Sequence, residues 1–104
     1  MSVIMNLFRN NIAEISTPTA GSIKKTSMVI TGTVEWYKDN ATWGVAYKKS
    51  LTSTWSYKTS SSKSIEVSLT DLTALTKYEI KLFVKYDGEY QYGPAIEVTT
   101  IAST

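Results

Sequence analysis

From Tyr78 onward the chain alternates, with Tyr78, Ile80, Leu82 and Val84 on one side and Lys77, Glu79, Lys81 and Phe83 on the other. A period of two marks a strand with one buried face, so the run through Tyr86 is predicted to be a strand whose outward row is mostly charged. The same period recurs upstream. Met28, Ile30, Gly32, Val34 and Trp36 alternate with Val29, Thr31, Thr33 and Glu35; Trp43, Val45 and Tyr47 alternate with Gly44, Ala46 and Lys48; Ile65, Val67 and Leu69 form a third set. Gly32 in mid-strand signals a bulge or a close backbone approach.

Shorter runs complete the pattern. Residues 11–17 carry Ile12 and Ile15 and end at Pro18, which cannot donate to a ladder and so suits an edge strand. Residues 55–59 predict a short strand with exposed aromatics, and Ile96 with Val98 predict the last one. Between them lie turn compositions: a Gly/Ser/Lys connection over 19–26, polar turns at 37–41 and 49–54, a serine-rich loop at 60–63, and Asp87-Gly88, a strong hairpin signal. Seven short strands at this spacing predict an all-β chain folded as a seven-stranded antiparallel β-sandwich.

Residues 1–10 stand apart, because Val3, Ile4, Met5, Leu7 and Phe8 crowd together without alternation. They read either as a flap over the domain's own core or as an arm that docks on a partner, since an exposed apolar segment is a liability in a monomer. The expected organisation is an arm over 1–10 followed by one sandwich over 11–104. A chain of 104 residues suits a single core. The segment lacks the charged start and small-residue cleavage site of an export signal. No apolar run reaches the length of about 18 needed to cross a bilayer, so the chain is expected to be soluble.

Composition removes whole classes of chemistry. With no cysteine and no histidine, thiolate metal sites, disulfides, cysteine nucleophiles and histidine-based triads are all excluded. A formal charge of +2 is too small to argue for nucleic acid or a membrane surface as partner. Among nine carboxylates, Glu35, Glu66, Glu79 and Glu97 fall at outward strand positions, where solvent keeps both members of any pair ionised, so no glycosidase-like pair is predicted. Asp39, Asp71 and Asp87 read as turn residues. No enzyme activity and no cofactor are expected.

Two sets of side chains remain as binding candidates. Lys77, Lys81 and Lys85, with Lys48 on a neighbouring strand, form either a solvated face that discourages aggregation or a contact for an acidic protein surface. The aromatics are the better lead. Trp36, Tyr47 and Tyr78 are assigned to the core, while Tyr37, Trp55, Tyr57, Tyr86, Tyr90 and Tyr92 fall in loops or on the short outer strand. Such residues pack loops, form interface hot spots, or stack on sugar rings.

Residues 11–100 resemble a fibronectin type III domain, an immunoglobulin-like Greek-key sandwich. Trp36 falls where that family keeps a core tryptophan, and Val45 with Tyr47 resembles its third-strand pair. Leu72 followed by Tyr78, Ile80, Leu82 and Val84 resembles the corner before its sixth strand. In that family a tyrosine hydroxyl at this corner bonds back to the backbone. Tyr92-Gly93-Pro94 also suits the pattern. The loop Asp87-Gly88-Glu89 lacks the Arg-Gly-Asp of integrin-binding members, so that activity is not carried over, and residues 1–10 have no counterpart.

The resemblance implies a non-catalytic module. A chain that begins at its own methionine and holds one such domain resembles stand-alone virion sandwiches. The expected function is an auxiliary, or decoration, protein of a phage capsid or tail, located in the virion. Its protein contacts are expected through Val3, Ile4, Leu7, Phe8, Trp55, Tyr57, Tyr86, Tyr90, Tyr92, Lys81 and Lys85. The alternative is a spacer or carbohydrate-binding module of a larger secreted bacterial enzyme or adhesin, at the cell surface or outside it.

Overall fold

The computed structural model describes residues 13–36 and 40–102. Within them the chain forms nine strands: β1 (Glu14–Ile15), β2 (Thr19–Gly21), β3 (Met28–Glu35), β4 (Ala41–Lys49), β5 (Ser56–Thr59), β6 (Ser64–Leu69), β7 (Lys77–Tyr86), β8 (Glu89–Tyr92) and β9 (Ile96–Thr99). One sheet has β3 at its centre, with β6 along one edge and β1 and β2 in line along the other. In the other sheet β5 pairs β4 and β4 pairs β7, and β8 and β9 both pair β7. All these pairings are antiparallel, and the two sheets make a sandwich.

The count is nine rather than seven because one edge of each sheet is interrupted at a proline. Pro18 separates β1 from β2 and Pro94 separates β8 from β9, since a residue without an N–H cannot continue a ladder. Thr19–Gly21, expected to be part of a connection, pairs with β3 at Thr31, Ile30 and Val29. That pairing is made by backbone groups, so no apolar period announces it.

The inward rows meet as expected. Ile30, Val34 and Trp36 pack against Val45, Ile80 and Leu82 in one core cluster, each large aliphatic contributing about 1.5–3 kcal/mol on burial. Gly32 lies in an unbroken ladder opposite Ile65, so it marks no bulge. It marks a close approach: a Cβ there would lie 2.5 Å from Leu82 Cδ1 of the opposite sheet.

The corner before β7 is tied by hydrogen bonds. The Thr73 N–H donates to the hydroxyl of buried Tyr78 at 2.8 Å. Thr100, only 1% exposed, donates its hydroxyl to the Thr73 carbonyl at 2.6 Å and accepts from the Thr76 N–H at 3.0 Å. Each such bond contributes on the order of 1 kcal/mol net. The corner thereby fixes the start of β7. At its other end Asp87 and Gly88 both have positive φ, 54° and 81°, between the paired residues Tyr86 and Glu89. This is the type I′ arrangement of a two-residue hairpin, and it sets the register of β8 on β7. No helix among the described residues is long and apolar enough to cross a membrane.

Candidate functional site

The second sheet carries an aromatic layer on its outer surface, away from the core. The layer starts from two small outward residues of β4, Gly44 and Ala46, both buried. Gly44 pairs with Thr59 on one side and Phe83 on the other, while Ala46 pairs with Tyr57 and Lys81. A Cβ on Gly44 would lie 2.0 Å from the Lys58 carbonyl oxygen, so glycine is what allows β5 to lean over the sheet. Phe83 shares its level with Tyr92, and Lys85 shares the next with Tyr90.

Side chains fill this frame as one cluster. Phe83, although on the outward row, is 2% exposed. The Tyr57 ring meets it edge-on at 5.1 Å, and Tyr90 lies 5.7 Å away. Tyr57 and Tyr90 are 5.0 Å apart, and the rings of Tyr90 and Tyr92 lie 5.8 Å apart and within 4° of parallel. The hydroxyls of Tyr57 and Tyr92 share a 2.7 Å hydrogen bond across the layer. Tyr57, Tyr90 and Tyr92 remain 38%, 39% and 40% exposed, so they present a fixed surface to solvent over a buried floor.

Lysines lie across the rings. Lys81 Nζ is 4.0 Å from the Trp55 centroid and 3.7 Å from that of Tyr92, and Lys85 Nζ is 5.2 Å from that of Tyr90. At these distances the ring quadrupole attracts the ammonium. The acids of the same sheet face lie toward its other end, where Glu79 pairs with Lys48 at 3.2 Å and Glu97 with Lys77 at 3.7 Å. Each of these carboxylates has a lysine of its own, and neither is left as a free acid. Among the described residues no group of three or more His, Cys, Asp or Glu side chains could hold a metal.

Burial and the hydrogen bond that Tyr92 shares with Tyr57 raise the pKa of Tyr92 well above that of a free phenol. That of half-buried Tyr47 is raised by burial and then by Tyr78 and Asp71. A raised phenol pKa contributes stability that is present below about pH 10, where the unfolded tyrosine is still protonated, and that is lost as pH rises further. Tyr92→Phe is therefore expected to flatten the alkaline fall in stability. Urea midpoints at about pH 8 and about pH 10.5 check this, and an unchanged difference between the two would refute it.

The structure brings together six of the residues singled out in the sequence: Trp55, Tyr57, Lys81, Lys85, Tyr90 and Tyr92. It places Tyr86 elsewhere, on the inner row of β7, with its ring 5.3 Å from Trp36 and packed on the core cluster. Val3, Ile4, Leu7, Phe8 and Tyr37 lie outside the described residues. Sequence reasoning passed over Phe83, whose signal was a phenylalanine standing between two lysines in an outward row. It also passed over Leu51 and Leu75, which are 101% and 70% exposed and border a groove of about 510 Å³ beside Lys77 and Glu97.

No protein-family model matches the chain, and no curated protein sequence does either. Solved structures do match in shape. A fibronectin type III domain of human collagen XX superposes with a TM-score of 0.66 at 15% identity, covering 86% of this chain and 93% of that one. The fibronectin type III domain derived from human KIAA0970 gives 0.66 at 16%, covering 96% and 82%. The sensor domain of the anti-sigma factor RsgI4 in Pseudobacteroides cellulosolvens gives 0.65 at 21%, covering 88% and 90%. Identities this low speak for architecture alone, and with the sheet order and tyrosine corner they show that the chain has a fibronectin type III-like β-sandwich fold.

Proposed function

We propose that this chain is a non-catalytic binding module that joins a larger protein assembly, as an auxiliary protein of a phage capsid or tail, and that the outer face of the β5–β4–β7–β8 sheet makes the contact. One observation carries the reading: three tyrosines, each about two-fifths exposed, are held in fixed orientation over buried Phe83. Rigid aromatics lose little side-chain entropy on binding and are enriched among interface hot spots. The lysine-paired carboxylates Glu79 and Glu97 agree with a non-catalytic role. The apolar residues Val3, Ile4, Leu7 and Phe8 supply a second contact in this proposal.

A carbohydrate-binding module would also use exposed aromatics, but a pyranose stacks on an open ring face. Here Lys81 covers one face of both Trp55 and Tyr92, and Tyr90 and Tyr92 lie against each other. This favours a protein partner over sugar.

The test has two steps: the genes flanking this one are expected to encode capsid or tail proteins, and the chain is then co-expressed with them and particles are sedimented. The intact chain is expected to sediment with them, while the Tyr57→Ser/Tyr90→Ser double variant, confirmed folded by circular dichroism, stays in the supernatant. A wild-type chain that never co-sediments, or a double variant that does so equally well, would overturn the proposal.

A further inference from the structure

Four lysines stand on the outward rows of β4 and β7, and they divide into two kinds. Lys48 and Lys77 are neutralised by Glu79 and Glu97. Lys81 and Lys85 have no carboxylate partner among the described residues, and their ammonium groups lie over rings. A ring face attracts a cation without neutralising it, and it holds the long side chain in place. The aromatic end of the face is thus positive, preorganised and apolar between its charges.

We infer that this face docks an acidic protein segment in extended conformation, with two carboxylates four residues apart and an apolar side chain midway between them. The inference rests on the binding-module reading above and names its partner. Lys81 and Lys85 occupy the same face of one strand four positions apart, a span of about 13 Å at about 3.3 Å per residue. An extended segment has the same rise, so acids four positions apart face both lysines at once. The residue between them on that face then falls over the level of Phe83, where Tyr57 and Tyr90 form the surface. Carboxylates can hydrogen-bond the lysine ammonium groups, whose donors the rings leave available, and the central side chain buries apolar area on the tyrosines.

The probe is a blocked peptide in which serine alternates with glutamate, leucine and glutamate, titrated into the full chain and followed by amide and indole chemical shifts. Two control peptides carry lysine for both glutamates or serine for leucine. Shifts are expected at Trp55, Lys81, Phe83 and Tyr90. Affinity should fall at least tenfold for Lys81→Gln/Lys85→Gln and for the lysine peptide. It should also fall as NaCl rises from about 20 mM to about 500 mM, because screening shortens the reach of the pairs. Equal binding of the lysine peptide, shifts mapping away from this face, or full affinity in the lysine double variant would overturn the inference. Its failure is separable from that of the module reading. A wild-type chain that sediments with particles yet ignores the acidic peptide leaves the module standing and removes the acidic partner, whereas salt-insensitive binding of a neutral oligosaccharide such as cellohexaose at this face removes both the acidic partner and the protein-assembly reading.

Discussion

Gly44→Val is expected to strip β5 from β4 and to lower stability by about 3 kcal/mol, the upper end of what overpacking usually costs. A Cβ at this position would lie 2.0 Å from the Lys58 carbonyl oxygen and 2.7 Å from Thr59 Cα. Both atoms are backbone, so no rotamer change relieves the clash, and the strand itself must move. β5 is only four residues long and its ladder is made with β4, so the clash falls on its backbone pairing and leaves the strand to the contacts of Tyr57 with Phe83, Tyr90 and Tyr92. Gly32 provides the contrast. Its nearest obstacle is Leu82 Cδ1, the end of a side chain, at 2.5 Å, and Gly32→Ala should cost less because that end can turn. Since β5 carries Tyr57 and follows Trp55, its release dismantles the outer face. Amide exchange at residues 56–59 should quicken, and the peptide titration should lose its shifts. A Gly44→Val chain within about 0.5 kcal/mol of wild type, the range of an ordinary surface change, would show that the close approach is not there.

The two faces of the second sheet differed in how far the sequence could be read. Parity along a strand tells which way a side chain points, and inward residues must meet one another because only one core is available. Tyr78, Ile80, Leu82 and Val84 could therefore be placed from their spacing, whereas the hydrogen-bonded corner between Leu72 and Tyr78 came from the resemblance to fibronectin type III domains. Asp87-Gly88 was equally legible, since positive φ at two successive positions selects those residues. Outward residues carry no such constraint. Nothing in Trp55, Tyr57, Tyr90 and Tyr92 says that β5 and β8 flank the same pair of strands, and until strand order is known they read as scattered loop aromatics. Phe83 was passed over for that reason: it stands on the outward row, as its parity says, but its neighbours cover it. Tyr86 was misplaced for the converse reason, because it was counted with the hairpin loop although it continues the inward row. The part Thr100 plays at the corner was invisible, because a buried hydroxyl that serves two backbone groups leaves no mark on an apolar pattern.

The face also makes a prediction that separates its floor from its contact surface. Phe83→Ala is expected to cost about 3 kcal/mol, the lower end for a buried phenylalanine, because the space left behind lies just beneath the surface layer and Tyr57 and Tyr90 can settle into it. They stand 5.0 Å apart in tilted contact above the ring. Their collapse would pull the Tyr57 hydroxyl from its 2.7 Å bond to Tyr92 and tilt the ring on which Lys81 rests. The acidic peptide should then bind at least tenfold more weakly, even though every residue in contact with it is still present. Tyr90→Ser should weaken the peptide as strongly while lowering stability by less than about 1.5 kcal/mol, since that ring is 39% exposed and its removal leaves no enclosed cavity. Phe83→Leu, which refills most of the volume, should recover both stability and affinity. Urea unfolding and peptide titration of the three variants provide the comparison. If Phe83→Ala loses stability but keeps full affinity, the tyrosines are not held by their floor, and the rigidity on which the proposed contact depends is absent.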